Sequence, residues 1–385
     1  MFDIRQSALL SPVEDSFTGK TYYKLQNKDK RIQNNYYFTV PSTTSDDRYL
    51  SIVSSDPGER EQNVWLADFE KNILRPITTK GFAIESMYLD ENRHKIWYAQ
   101  NGAVYGQDLE NTKPDQGEFL FRFPEEIAKG QPVRFFSNHI TCNGDGTRFA
   151  FCGSVGEMWY VGYYDMEEDR CQIIHESVIK ATHVQYAPDF SNRILFCHDW
   201  WISPSTGIRY DWDHRLWLYE DATKKVGETY MIEHEQDQNG LVPHKPFHEF
   251  WSKDGKYIYM CDMPHGVVRH DPKFPESCDV VWPGMHCHAH CNSAGTRFVS
   301  DINPYGWPKG ETAHVAYFDA NTKEEGYIAY ALPPAPKYPD QQKYDRHYHP
   351  HPHPSFSASE NYINFTGSQK SELNVYLAFA SDIFK

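Results

Sequence analysis

NGDGTRFAFCGS, from Asn143 to Ser154, opens with a Gly- and Asp-rich turn and passes through a basic residue into a run of β-type apolar residues. The same order recurs as TTSDDRYLSIVSS from Thr43, LDENRHKIWYA from Leu89 and PDFSNRILFCHD from Pro188. It continues as SKDGKYIYMCD from Ser252, NSAGTRFVSDI from Asn292 and SASENYINFTG from Ser357. Each copy reads as a tight turn feeding a short strand. A second, apolar segment follows each time and closes on a polar, often acidic, turn: NVWLADFEKN, AVYGQDLENT, MWYVGYYDMEED, RLWLYEDATKK, GVVRHDPK, HVAYFDANTKE and NVYLAFASD. Seven copies of a two-strand unit, with room for two further strands between copies, predict an all-β fold, a seven-bladed β-propeller. A sandwich of many short strands would not repeat the same turn–strand–strand unit seven times. Helical periodicity is confined to PEEIAKG at 124–130. TYYKL near the N-terminus is expected to pair with the last blade and close the ring, which removes exposed edges. One propeller domain is then expected to span 1–385.

Composition agrees with a packed chain. Hydrophobic residues make up 39% of the 385 and charged residues 24%, enough apolar content to bury a core. No apolar run is long enough to span a bilayer. The first residues, MFDIRQSALLSPVEDS, lack a basic start followed by an apolar stretch, so a secretory signal is not expected and a cytoplasmic location is. Several of the eight cysteines sit inside apolar runs (FAFCGS, RILFCHDW, YIYMCD), where reduced core thiols are expected rather than disulfides. The formal net charge of −15 argues against nucleic acid or a membrane surface as partner, though a locally positive cleft could still take an anion. Oligomeric state is left open.

Nineteen histidines are unevenly spread. In an extended strand, residues at i and i+2 point to one side, so His351 and His353 of HPHPSF can aim together, with the prolines holding the segment extended. The same spacing puts His286, His288 and His290 of GMHCHAHCN on one face. Two imidazoles from one blade and one from the next can form a three-histidine metal site. Cys287 and Cys291 fall on the opposite strand face from His288, so a structural zinc site is the second choice. His248 of FHEFWSKDG precedes a repeat turn and suits proton abstraction, with Glu249 as the alternative base. His183, His198 and Arg215 could grip a substrate carboxylate, since a guanidinium binds one in a two-pronged way, and Arg215 is also expected to act catalytically by neutralising, with a metal, the negative charge that proton abstraction creates. An ion pair between Arg215 and a blade acid is the structural alternative. There is no P-loop and no G-x-S-x-G elbow.

HVQYAPDFSNRILFCHDW, RLW, HEFWSKDG, GMHCHAHCNSAG and HPHPSFSASE occur in the order seen in oligogalacturonate lyases, and YYFTVPSTTSDDRYLSIVSS is similar to that family's first blade. The resemblance covers nearly the whole chain. It implies a seven-bladed propeller that cleaves short pectin-derived uronates by β-elimination, with a divalent metal, typically manganese, in the central funnel. Carried over by position, His248 becomes the base, and His288, His351 and His353 become metal ligands. The family has a further glutamine ligand three residues before the last pair, where this chain has Tyr348. His349 or a water is then expected to fill that place, or the metal preference changes toward zinc or another divalent ion. His286, His290 and His347 fall outside the family pattern. The expected partner is a small acidic oligosaccharide, most simply an oligogalacturonate. A glucuronate- or rhamnose-containing oligomer and a non-catalytic propeller that binds partners on its faces are the alternatives.

Overall fold

A computed structural model describes residues 3–29, 31–56, 62–79, 86–134, 139–230, 235–237, 240–242, 244–302, 312–333, 351–369 and 372–385. Among the described residues, seven antiparallel sheets of four or five strands follow one another along the chain, with two further two-stranded sheets. Their innermost strands are Ile32–Asn34, Ser86–Asp90, Thr141–Cys142, Lys180–Tyr186, Pro246–Trp251, Ala289–Cys291 and Ser355–Phe356. Each quoted turn delivers the second strand of its blade, as in Arg148–Val155, and each apolar segment the third, as in Met158–Asp165. The seventh blade is completed from the other end of the chain. Thr21–Leu25 pairs with Glu372–Phe379 through Tyr23 opposite Leu377 and Lys24 opposite Tyr376, and Leu10–Glu14 adds a fifth strand outside it. The short helix sits at Glu125–Ala128. No helix among the described residues is long and apolar enough to cross a membrane. All eight cysteines are reduced.

The repeat turns share one backbone requirement. Asp47, His94, Gly146, Asn192, Gly255, Gly295 and Glu360 occupy the same place in the seven turns, and all have positive φ, between 52° and 76°. A left-handed residue there reverses the chain so that strands one and two lie side by side. The charges of the repeat also find their reason. Arg48, Arg148 and Arg297 open second strands and meet Asp68, Asp165 and Asp319 at the ends of the paired third strands, at 3.0, 2.8 and 3.2 Å. Turns of adjacent blades are tied to each other as well. Arg193 Nη2 donates to Gly255 O at 2.6 Å, Asn143 Nδ2 to Asn192 Oδ1 at 2.7 Å, and Glu360 accepts from Ser293 N at 2.5 Å.

The apolar core is divided among the blade interfaces rather than gathered at one centre. Seven clusters of buried residues, one between each pair of neighbouring blades, carry it among the described residues. Within the seventh blade, on the face turned to blade six, Tyr22 lies edge-on to Phe365 and Tyr376, with ring centroids at 5.5 and 5.3 Å. Tyr22→Ala should therefore cost about 3 kcal/mol in chemical unfolding, as for a large aromatic removed from a core. Phe190→Ala, at a turn where the ring is 79% exposed, should stay within about 0.5 kcal/mol.

Candidate metal and active site in the central funnel

Five histidines share one position in the repeat. The first residue of the turn donates its N–H across the turn: Asn143 to Arg148 O, Ala187 to Arg193 O, Ser252 to Tyr257 O, Asn292 to Arg297 O and Ser357 to Tyr362 O. Four residues before each donor stands a histidine: His139, His183, His248, His288 and His353. In propellers this part of the unit lines the axis, so blades three to seven each send one imidazole inward. Blade one contributes Tyr37, which follows its inner strand. The Tyr37 ring centroid lies 4.5 Å from His139, 5.2 Å from His183, 6.4 Å from His248, 6.1 Å from His288 and 5.2 Å from His353.

Backbone irregularity aims these side chains. The inner strands of blades four and five slip register between Thr182 and Gln185 and between Phe247 and Phe250. His183 and His248 sit in those bulges with φ of 55° and 58°. A bulge turns an unpaired residue out of the ladder's alternation. His353 has φ of 42°, so the HPHP segment is not extended throughout, as its prolines suggested.

His288, His351 and His353 form one group whose ligand atoms lie within 4.8 Å of one another. Asp301 organises it. Its carboxylate lies 2.9 Å from His288 Nδ1 through Oδ2, accepts from His288 N at 2.7 Å and from His353 N at 3.2 Å. A carboxylate on Nδ1 holds the proton there and leaves Nε2 to face the group. The residues suit a divalent cation: a buried carboxylate behind a histidine, with neutral imidazoles around it. Burial, reinforced by neighbouring imidazoles, holds His139, His248, His288 and His353 well below the usual imidazole value. Neutral imidazole is the form that ligates and the form that accepts a proton.

His248 stands beside this group, its ring centroid 4.0 Å from that of His288. Its Nδ1 shares a 2.9 Å hydrogen bond with the Tyr37 hydroxyl, and its Nε2 faces Cys287 Sγ at 3.9 Å. Glu249 turns the other way. It is fully buried, with Oε1 3.2 Å from His183 Nδ1 and Oε2 3.6 Å from Arg215 Nη2. Burial disfavours its charge, but the Arg215 guanidinium and His183 outweigh burial and keep the carboxyl well below its usual range. Arg215 is itself buried, 3.6 Å from Asp199 and lying over the Phe247 ring at 4.9 Å. The blade-acid alternative read from the sequence thus corresponds to Glu249 and Asp199.

Other histidines lie elsewhere. His198 packs against His175, with Nε2 atoms 3.0 Å apart, and against Trp217, away from the funnel cluster. His286 lies on Trp282 and His290 stacks on Phe250, so the expected shared face of His286, His288 and His290 is not formed. The alternation fails because the inner strand of that blade spans only Ala289–Cys291. For the same reason Cys287 is not on the far side from His288: its Sγ lies 4.0 Å from His288 Nε2. His347, Tyr348 and His349 fall outside the described residues. Sequence reasoning missed Tyr37, His139 and Asp301; for His139 the signal was the four-residue spacing before the turn. Below the cluster, Phe38 packs against His288 and Phe250, and beyond it the axis opens into a cavity of about 390 Å³ lined by Asn143, Trp251, His290 and Ser357.

Removing the Glu249 charge leaves Arg215 buried without its closest funnel-side acid. Glu249→Gln should destabilise the protein by about 3 kcal/mol near neutral pH, read as a lower midpoint of chemical unfolding. A carboxyl whose folded value is depressed stabilises above its unfolded value and loses that contribution as pH falls toward the folded one. The advantage of wild type over the variant should shrink steadily below about pH 4.3.

No family model matches this chain, and no curated protein sequence does. Among solved structures it is similar to an oligogalacturonate lyase in complex with manganese, at 17% identity over 97% of each chain with a TM-score of 0.75. It is also similar to an oligogalacturonate lyase from Vibrio parahaemolyticus, at 18% identity over 98% of each chain with a TM-score of 0.75. The chain shares the seven-bladed propeller fold of those two proteins over 97–98% of its length.

Proposed function

We propose that this protein is a metal-dependent lyase that cleaves short uronate oligosaccharides, oligogalacturonates first among them, by β-elimination to 4,5-unsaturated products. The observation that carries the reading is His248 Nε2 beside the His288, His351 and His353 group, at the axis of a fold shared with two oligogalacturonate lyases. Manganese is the first candidate metal because one of those structures is a manganese complex.

A divalent cation held by His288, His351 and His353 would supply Lewis-acid stabilisation to the negative charge that develops on the substrate carboxylate. The C5 proton of a uronate is acidified by that carboxylate. His248 takes the proton at Nε2, while its Nδ1–H donates to the Tyr37 hydroxyl and fixes the ring. The C5–H electron pair becomes the C4=C5 double bond, the C4–O bond breaks, and the departing sugar takes up a proton. No water is added across the bond. His183, held through Nδ1 by Glu249, offers Nε2 to the substrate's oxygen atoms. Arg215 acts from beneath, as the buried positive charge that keeps Glu249 ionised and His183 in place.

Incubation with digalacturonate and Mn2+ should raise the ultraviolet absorbance of an unsaturated uronate, and chelator should abolish the rise until metal is restored. Absence of the signal with every uronate oligomer tried would sink the reading, while a signal only with glucuronate-type oligomers would change the sugar and keep the reaction. His248→Ala should lower kcat by about 10²–10⁴-fold, and the metal content should persist. Asp301→Asn should weaken Mn2+ binding roughly 10–100-fold, measured by calorimetric titration.

A further inference from the structure

His288 belongs to two ligand groups at once. Besides His351 and His353, its Nε2 has Cys287 Sγ at 4.0 Å, and the same sulfur lies 3.9 Å from His248 Nε2. The ligand atoms of His248, Cys287 and His288 all fall within 4.8 Å of one another. Around one tetrahedral zinc, with bonds of about 2.0 Å to nitrogen and 2.3 Å to sulfur, ligand atoms stand about 3.5 Å apart. Small side-chain rotations would close the present spacing to that value. Both imidazoles are already oriented for it: His288 Nδ1 is held by Asp301 and His248 Nδ1 by Tyr37, so both Nε2 atoms face the sulfur.

The two groups differ in hardness. Three imidazoles take zinc as well as manganese, whereas two imidazoles and a thiolate favour the softer ion, cadmium above all. His288 Nε2 has one lone pair, so it serves one cation at a time. We propose that His248, Cys287 and His288 form a second, thiophilic metal position that competes with the three-histidine position and, by engaging His248 Nε2, blocks proton abstraction. Binding forms a metal–sulfur bond and releases the Cys287 proton to solvent. Only the effect on catalysis rests on the proposed lyase function; the binding does not.

The decisive experiment titrates Cd2+ into metal-free wild type, Cys287→Ser and His351→Ala, reading the near-ultraviolet thiolate-to-cadmium absorption, with thermal melting to confirm that each variant is folded. Wild type and His351→Ala should gain the band with one ion per chain, and Cys287→Ser should not. Cd2+ affinity of Cys287→Ser should fall by more than the roughly 10–100-fold cost of losing an outer hydrogen-bond partner, with Mn2+ affinity unchanged. His351→Ala should show the opposite selectivity, losing Mn2+ and keeping Cd2+. Wild type without the band, equal Cd2+ affinities of wild type and Cys287→Ser, or loss of the band in His351→Ala would each overturn the proposal. If the Mn2+-loaded protein proves active, Cd2+ should inhibit wild type far more than Cys287→Ser; equal inhibition would overturn the blocking step. A protein inactive on every uronate would still give the binding result, so the two readings fail separately.

Discussion

Ring closure is the constraint on which everything else depends. A four-stranded blade has two apolar faces, and only the blades on either side can cover them. The core is accordingly split into seven interfaces, and the last forms only when Thr21–Leu25 reaches Glu372–Phe379. Closure also makes the site. Tyr37, His139, His183, His248, His288 and His353 come from six different blades, and what brings their rings together is convergence on one axis.

What could be read from the sequence follows from which constraints are local. The turn–strand–strand unit is legible because each turn needs a left-handed residue and three of the second strands open toward a complementary acid, as Arg148 does toward Asp165. Ring closure by TYYKL is legible because an edge strand needs a partner. His248, His288, His351 and His353 were found from their spacing and from resemblance to a known lyase family, and the structure gathers them. Side-chain direction was less legible. Strict alternation holds only inside a paired strand, and residues 284–288 precede theirs, so His286 and Cys287 were assigned to the wrong sides. Register slips at His183 and His248 leave no mark in composition. Asp301 looks like any acid at the end of a strand until the neighbouring loop folds over it.

Charge inside the funnel is arranged in two tiers. In the histidine cluster, burial holds His288 and His353 well below the usual imidazole value. One step deeper, Arg215 and Glu249 remain ionised because each is the other's compensation in a dry setting. Phe38 packs against His288 and also lines the cavity, so it adjoins both the histidine cluster and that cavity.

The left-handed backbones of His183, His248 and His353 bear on how this site could change over generations. A non-glycine residue in that conformation costs on the order of 1–3 kcal/mol, and the surrounding blades must hold it there. Three such residues in one funnel draw on a sizeable part of the stability a chain of this kind has in reserve. Random substitution would favour glycine at each position on stability alone, and each such change would delete an inward imidazole. Chains of this fold that have lost the histidines should therefore be the more robust proteins, and robustness itself becomes a sign that the funnel has gone quiet.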